Sequence, residues 1–232
     1  ALAAFGDAGA AAVLVLGDLT DRGRPEQFEA ALKVLAGSGL PAAIVPGNHD
    51  LEGPGPAEPA AASAAGRPRS VPAGAAALAP VALTGTWPTD DGLEYRLGSP
   101  AGDPGALPVV LSHYPVLSRK QALATAGLKY AGDLGPRAGL EREVRALGRH
   151  VVALCGHLHV RDAVADGGLL QLSFGAMIEY PHEAALLEVD PAGRVSRRCF
   201  PVEPHPPGNG ADPVLAPAED RWIAAEDGWR RA

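Results

Sequence analysis

Four short apolar runs punctuate the chain, and each stops at a polar cluster. VLVL leads into Gly17-Asp18-Leu19-Thr20-Asp21-Arg22-Gly23, and AIV into Pro46-Gly47-Asn48-His49-Asp50. VVL leads into Ser112-His113, and VVAL into Cys155-Gly156-His157-Leu158-His159. Residues 12–16 are apolar without alternation, which predicts a strand covered on both faces. Pro25 then opens a helix where its missing N–H costs least, Phe28, Leu32 and Leu35 recur at helical spacing, and Gly37 and Gly39 end it. Residues 42–45 supply the next strand, and the short return implies a parallel crossover. Leu140, Val144 and Leu147 predict a second amphipathic helix, with Glu141, Arg142, Glu143 and Arg145 on its wet side, running into a strand at 151–154. Residues 169–174 and 184–189 read as later strands. The pattern is α/β, and the polar clusters fall at the C-terminal strand edge, where ligands distant in sequence can meet.

Two stretches lack such periodicity. Residues 52–80 are dominated by Ala, Gly and Pro and predict a long loop, either a lid or an inert insertion. Residues 201–217 are again rich in Pro and Gly and read as an irregular extension, after which Trp222 and Trp229 predict that the last segment docks. The expected division is therefore a domain over 1–200 and a Pro-rich C-terminal extension over 201–232. Pocket walls are expected from residues 52–80, 87–95 and 114–129, with Arg119, Lys120 and Lys129 read as solvated charges.

Composition narrows the partners. The 232 residues carry 20 Lys and Arg against 27 Asp and Glu, a net charge of −7, so there is no basic field for a nucleic-acid polymer or an anionic membrane. No run reaches the roughly 18 apolar residues of a membrane span. The cysteines, Cys155 and Cys199, are too few for a disulfide scaffold, and Cys155 at the end of an apolar run predicts a buried structural thiol. A small phosphorylated substrate and a cytoplasmic location fit best, with oligomeric state open.

Each polar cluster has a bland reading when taken alone. Asp18 could cap a helix or turn, Asn48 could simply follow a turn glycine, and His113 could be an ordinary hydrogen-bonded histidine. Gly156-His157-Leu158-His159 is more telling, because imidazoles at i and i+2 on an extended or bulged segment face the same way. Carboxylate, amide oxygen and imidazole without thiolate suit Mn, Fe or Zn.

The order GDLTDRG, PGNHD, SH, GHLH resembles the calcineurin-like metallophosphoesterase superfamily over residues 10 to 190. GNHD together with GDLTDRGRPEQF is more similar to the class III bacterial cyclic-nucleotide phosphodiesterases than to the protein phosphatases. The resemblance implies a four-layer α/β-β/α sandwich and two divalent metal ions. Asp18 would bridge them, Asn48, His113 and His157 would complete the second site, and His159 would belong to the first. A hydroxide between the metals would attack phosphorus, His49 would protonate the departing alkoxide, and Asp21 would orient and charge-stabilise His49. Arg22 could hold a phosphate oxygen or make a structural ion pair.

One element of the family pattern, an upstream D-x-H, is absent from residues 1–17, whose Ala/Gly-rich segment reads as the end of a helix. The sandwich is therefore expected to lack its first strand, with two ligands of the first metal missing. One ion rather than two would then be held, and activity would be weak. His150, His182 and His205 substitute for those ligands only formally. Two classes stay open: a phosphodiesterase with a dinuclear centre, and a non-catalytic or weakly active binding scaffold on the same fold.

Overall fold

The computed structural model describes residues 2–52, 81–88, 95–103, 105–129, 132, 138–179, 181–202 and 214–232. The chain forms two compact units, Ala1–Ala106 with Val110–His113, and Leu107–Val109 with Tyr114–Ala232.

In the first unit, helix α1 (Leu2–Asp7) precedes strand β1 (Val13–Leu16), helix α2 (Pro25–Gly37) and strand β2 (Ala42–Val45). β1 and β2 pair in parallel, from Val13 opposite Ala42 to Leu16 opposite Val45. α2 packs Leu35 against Val13 and Ile44, with Leu32 and Leu40 alongside, so the predicted helical stripe is the face that covers this pair. Its start is held by Gln27, whose side-chain oxygen accepts from the backbone N–H of Arg22 and of Arg24. β1 departs from expectation. Only Val13 is buried, because among the described residues β1 pairs with β2 alone. Strand β3 (Val81–Pro88) then pairs antiparallel with β4 (Tyr95–Leu97), and β5 (Leu107–Ser112) gives its last residues to this unit. Trp87 was expected in a loop but is buried within β3.

In the second unit, helix α3 (Lys120–Thr125) falls inside a segment expected to be loop, and α4 (Ala138–Arg145) precedes β6 (Val151–Cys155). β6 runs parallel to β8 (Leu169–Ser173), and β7 (Asp162–Asp166) flanks β8 antiparallel. β6 and β8 are buried throughout, as their unbroken apolar runs predict. Four further strands, β9 (Glu183–Val189), β10 (Arg194–Pro201), β11 (Glu219–Ala225) and β12 (Gly228–Arg231), form an antiparallel sheet in the order β12-β11-β10-β9. Trp222 and Trp229 are buried there, and the Trp229 indole N–H donates to the Gly168 carbonyl at 3.0 Å.

Residues 53–80 and 203–213, including the expected long loop, His205 and much of the expected irregular extension, lie outside the described residues. The mixed α/β class read from the sequence, with several multi-stranded sheets and few helices, is the one observed. Among the described residues no helix is long and apolar enough to cross a membrane.

Candidate metal centre

Three of the expected ligands meet within the first unit. Asp18 follows β1, Asn48 follows β2 and His113 follows β5, so three strand ends deliver one carboxylate, one amide and one imidazole. His113 Nε2 lies 3.0 Å from Asn48 Oδ1 and 3.3 Å from Asp18 Oδ2. Its other nitrogen, Nδ1, sits 2.8 Å from the Leu16 carbonyl oxygen, which can only accept. With Nδ1–H donated to that carbonyl, a deprotonated Nε2 would turn a lone pair toward the same point as the two oxygens. Three electron-pair donors facing one point is an arrangement that a bound cation satisfies, and the O/O/N donor set is that of a first-row divalent ion. His113 is buried, which excludes water from that side of the cluster.

Two glycines make the approach feasible. A Cβ on Gly17, whose φ is +89°, would lie 2.7 Å from His113 Cγ and 2.8 Å from Gly47 Cα. A Cβ on Gly47 would overlap Asp18 itself. Both positions need glycine because the strand ends converge more closely than any side chain permits.

Asp50 is the residue that sequence reasoning missed. It is 1% exposed and accepts from Leu19 N–H at 3.2 Å, Thr20 N–H at 2.9 Å, Thr20 Oγ1–H at 2.9 Å and Gly47 N–H at 2.9 Å. One buried carboxylate thus ties the loop carrying Asp18 to the loop carrying Asn48. The signal available was an acid closing Asn48-His49-Asp50 with a small hydroxyl residue, Thr20, in the other cluster.

His49 stands beside this group. Its backbone N–H donates to Asp18 Oδ1 at 3.0 Å, and its Nδ1 lies 2.9 Å from the Asp21 carbonyl oxygen. The Asp21 carboxylate is farther, at 4.0 Å, and that of Glu52 is 3.8 Å away. The hydrogen bond to the Asp21 carbonyl raises the His49 pKa most, burial opposes it, and the carboxylates of Asp18, Glu52 and Asp21 add to the rise. Arg22 forms an exposed ion pair with Asp21 at 3.4 Å.

The second unit carries the remaining pair. His157 and His159 follow β6, and Leu158 between them is buried against Leu123 and Val160. The segment, expected to be extended or bulged, turns at both histidines. His157 and His159 have φ of +60° and +52°, and Leu158 N–H bonds back to Gly156 O at 2.7 Å. Asp18 also lies in the left-handed region, at φ +51°. Non-glycine residues held there cost on the order of 1–3 kcal/mol each, strain that persists where the surroundings over-determine it. The Tyr114 ring tilts onto His157 with centroids 4.2 Å apart. Glu179, also unforeseen, accepts from His159 Nδ1 at 2.9 Å and leaves Nε2 as the nitrogen available to a ligand.

Other candidates resolve differently. His150 Nε2 lies 2.8 Å from the Ala225 carbonyl and the ring meets Trp229 edge-on, so His150 secures the C-terminal hairpin. Arg119 is ion-paired with buried Asp162 rather than solvated, whereas Lys120 and Lys129 are exposed. Cys155 is fully buried, as expected, and burial pushes its thiol up to about 12 against the pull of a hydrogen bond with the Val116 backbone.

The strand-end placement of Asp18, Asn48 and His113, their donor chemistry and the glycine turns before the first two fit a site for a divalent metal ion. The chain belongs to the calcineurin-like phosphoesterase family, whose family model matches residues 2–161 and so spans all five expected ligands. Among curated proteins none matches it. The family implies divalent metal ions and hydrolysis of phosphoesters, which sets the activity class of this chain.

Proposed function

We propose that this protein hydrolyses phosphodiesters at a dinuclear metal centre. Asp18 would be shared by the two ions, Asn48, His113 and His157 would complete one site, and His159 would serve the other, whose two remaining family ligands residues 1–17 do not supply. The observation that carries the reading is the convergence of Asp18 Oδ2 and Asn48 Oδ1 on His113 Nε2 within about hydrogen-bond range. The roles of His157 and His159 rest on the order of the motifs. The preference for diesters rests on GNHD and GDLTDRG, which are similar to those of bacterial cyclic-nucleotide phosphodiesterases.

When bound, divalent ions supply a hydroxide nucleophile and neutralise phosphoryl oxygens. The chain's own part is to place them and to move one proton. The Asp21 backbone carbonyl accepts from His49 Nδ1–H, which leaves Nε2–H of the imidazolium to protonate the alkoxide as the bond from phosphorus to the leaving oxygen breaks.

The direct test is turnover of bis(p-nitrophenyl) phosphate and of p-nitrophenyl phosphate with added Mn²⁺, then after chelation. Diester turnover that exceeds monoester turnover and disappears with chelator is expected; metal-independent turnover, or none, sinks the reading. His49→Ala should slow an alkyl leaving group at least about tenfold more than nitrophenolate, which needs no proton. Equal losses would remove His49 from the general-acid role.

A further inference from the structure

β8 reads Leu-Leu-Gln-Leu-Ser, and Gln171 is the polar side chain at the middle of a strand that is buried throughout. It is 1% exposed, and a buried amide is costly unless its oxygen and nitrogen are both hydrogen-bonded. Both bonds go to one residue of a distant segment. Leu117 N–H donates to Gln171 Oε1 at 2.7 Å, and Gln171 Nε2 donates to Leu117 O at 3.1 Å.

The neighbours of Leu117 are held as well. The Val116 backbone bonds the Cys155 thiol at the end of β6, and Arg119 is ion-paired with buried Asp162 at the start of β7. Residues 116, 117 and 119 are thus fastened to β6, β8 and β7 in turn, the order in which these strands lie in their sheet. The segment is a strap laced to three neighbouring strands. Only Pro115 separates it from Tyr114. A proline fixes its own φ and confines the residue before it to extended backbone, so the place of Tyr114 follows from that of Val116. The Tyr114 ring in turn lies against the His157 imidazole, centroids 4.2 Å apart and planes tilted by 52°. Beyond the strap, α3 packs Leu123 against Leu158, the residue between the two histidines. One segment therefore meets the histidine turn twice, and Gln171 fixes that segment from the interior of β8. His157 itself sits at φ +60°, a conformation that persists only where the surroundings impose it.

We propose that Gln171 is a positioning residue for His157, acting through the strap and the Tyr114 ring to fix the imidazole before metal binds. An imidazole already held in place spares metal binding the cost of ordering it, and loss of a group that orients a ligand typically weakens metal binding about 10–100-fold. The proposal deepens the phosphodiesterase reading and rests on it for the role of His157 as a ligand.

Two measurements on the full chain read this without turnover. The first is the proton shifts of the His157 ring in the metal-free protein, identified by their loss in His157→Gln; the second is the affinity for Mn²⁺ by calorimetry. In the wild type the Tyr114 ring current should displace the His157 protons, a displacement kept in Tyr114→Phe and lost in Tyr114→Leu. Gln171→Leu removes both bonds to Leu117 with a side chain of similar size. It should move the His157 protons toward their Tyr114→Leu positions and weaken Mn²⁺ binding at least about tenfold. His157 protons and Mn²⁺ affinity at wild-type values in a folded Gln171→Leu protein, whatever its melting temperature, overturn the proposal and leave Gln171 a core residue alone. Pro115→Gly approaches the same link with the three anchors intact, and should move the His157 protons in the same direction by less. If Gln171→Leu does not fold, an unmoved His157 signal in Pro115→Gly overturns the proposal. Mn²⁺ binding unchanged in His157→Gln would sink the ligand assignment, while the proton shifts would still decide whether Gln171 positions the ring.

Discussion

At the scale of single residues, the site depends on side chains whose work is to hold other groups in place. Asp50 accepts four hydrogen bonds from two loops while almost wholly buried. Truncation leaves the N–H groups of Leu19, Thr20 and Gly47 without that partner, and unsatisfied buried donors cost about 1–3 kcal/mol each. Asp50→Ala should therefore lower stability by at least about 3 kcal/mol in urea titrations and reduce bound metal, with Asp50→Asn intermediate. A stability within error of wild type would show that the two loops are held by something else. Gly47→Ala should act more locally. Its new methyl group would displace the Asp18 carboxylate, so metal content by elemental analysis should fall more than the melting temperature does.

At the scale of elements, the strands that the sequence reveals are those whose burial is hydrophobic. β6 and β8 are apolar at nearly every position and legible at once. β10 and β11 alternate, as half-buried strands do, but their inward positions include Arg197 and Asp220. These face each other across the ladder with side chains fully buried, paired at 2.7 Å and 3.1 Å. Arg197 also donates to the carbonyls of Asp162 and Ser173, at 2.9 Å and 3.0 Å, which fastens this sheet to β7 and β8. A charge inside an alternating pattern reads as a solvent position, so the strand stays hidden until its partner is located. Removing one member leaves an unpaired charge in the interior, and Asp220→Asn should cost about 3–5 kcal/mol in chemical denaturation. A loss under about 1 kcal/mol would mean that water or another acceptor serves the guanidinium.

At the scale of the whole molecule, the buried thiols set a limit on alkaline stability. Burial raises Cys155 to about 12 and Cys199 to about 11 from an ordinary 9.0. A thiol whose pKa is higher when folded than unfolded contributes stability in full below 9, and that contribution is lost as pH rises toward the folded value. The unfolded chain ionises first, and each pH unit within the window costs about 1.4 kcal/mol per fully buried thiol. Denaturation between pH 9 and 11 should show stability falling with pH, with a shallower slope in Cys155→Ala. Neither thiol should react with a disulfide reagent at pH 8 until the protein unfolds, and rapid native reaction would contradict their burial.

The sequence by itself determined the α/β class, the helix α2 with its strands β1 and β2, and the identities of Asp18, Asn48, His49, His113, His157 and His159 as the chemically distinctive residues. It could do so because an apolar run followed by a glycine and a polar cluster is a local pattern, written in consecutive positions. The tertiary structure alone decided what depends on residues far apart in the chain. It paired Asp50 with Leu19, Thr20 and Gly47, Glu179 with His159, and Arg197 with Asp220, and it made Gly17 and Gly47 necessary by bringing strand ends into contact. Local periodicity reports which face of an element is buried. It does not report which buried polar group will find its partner, because that choice is made when the chain closes on itself.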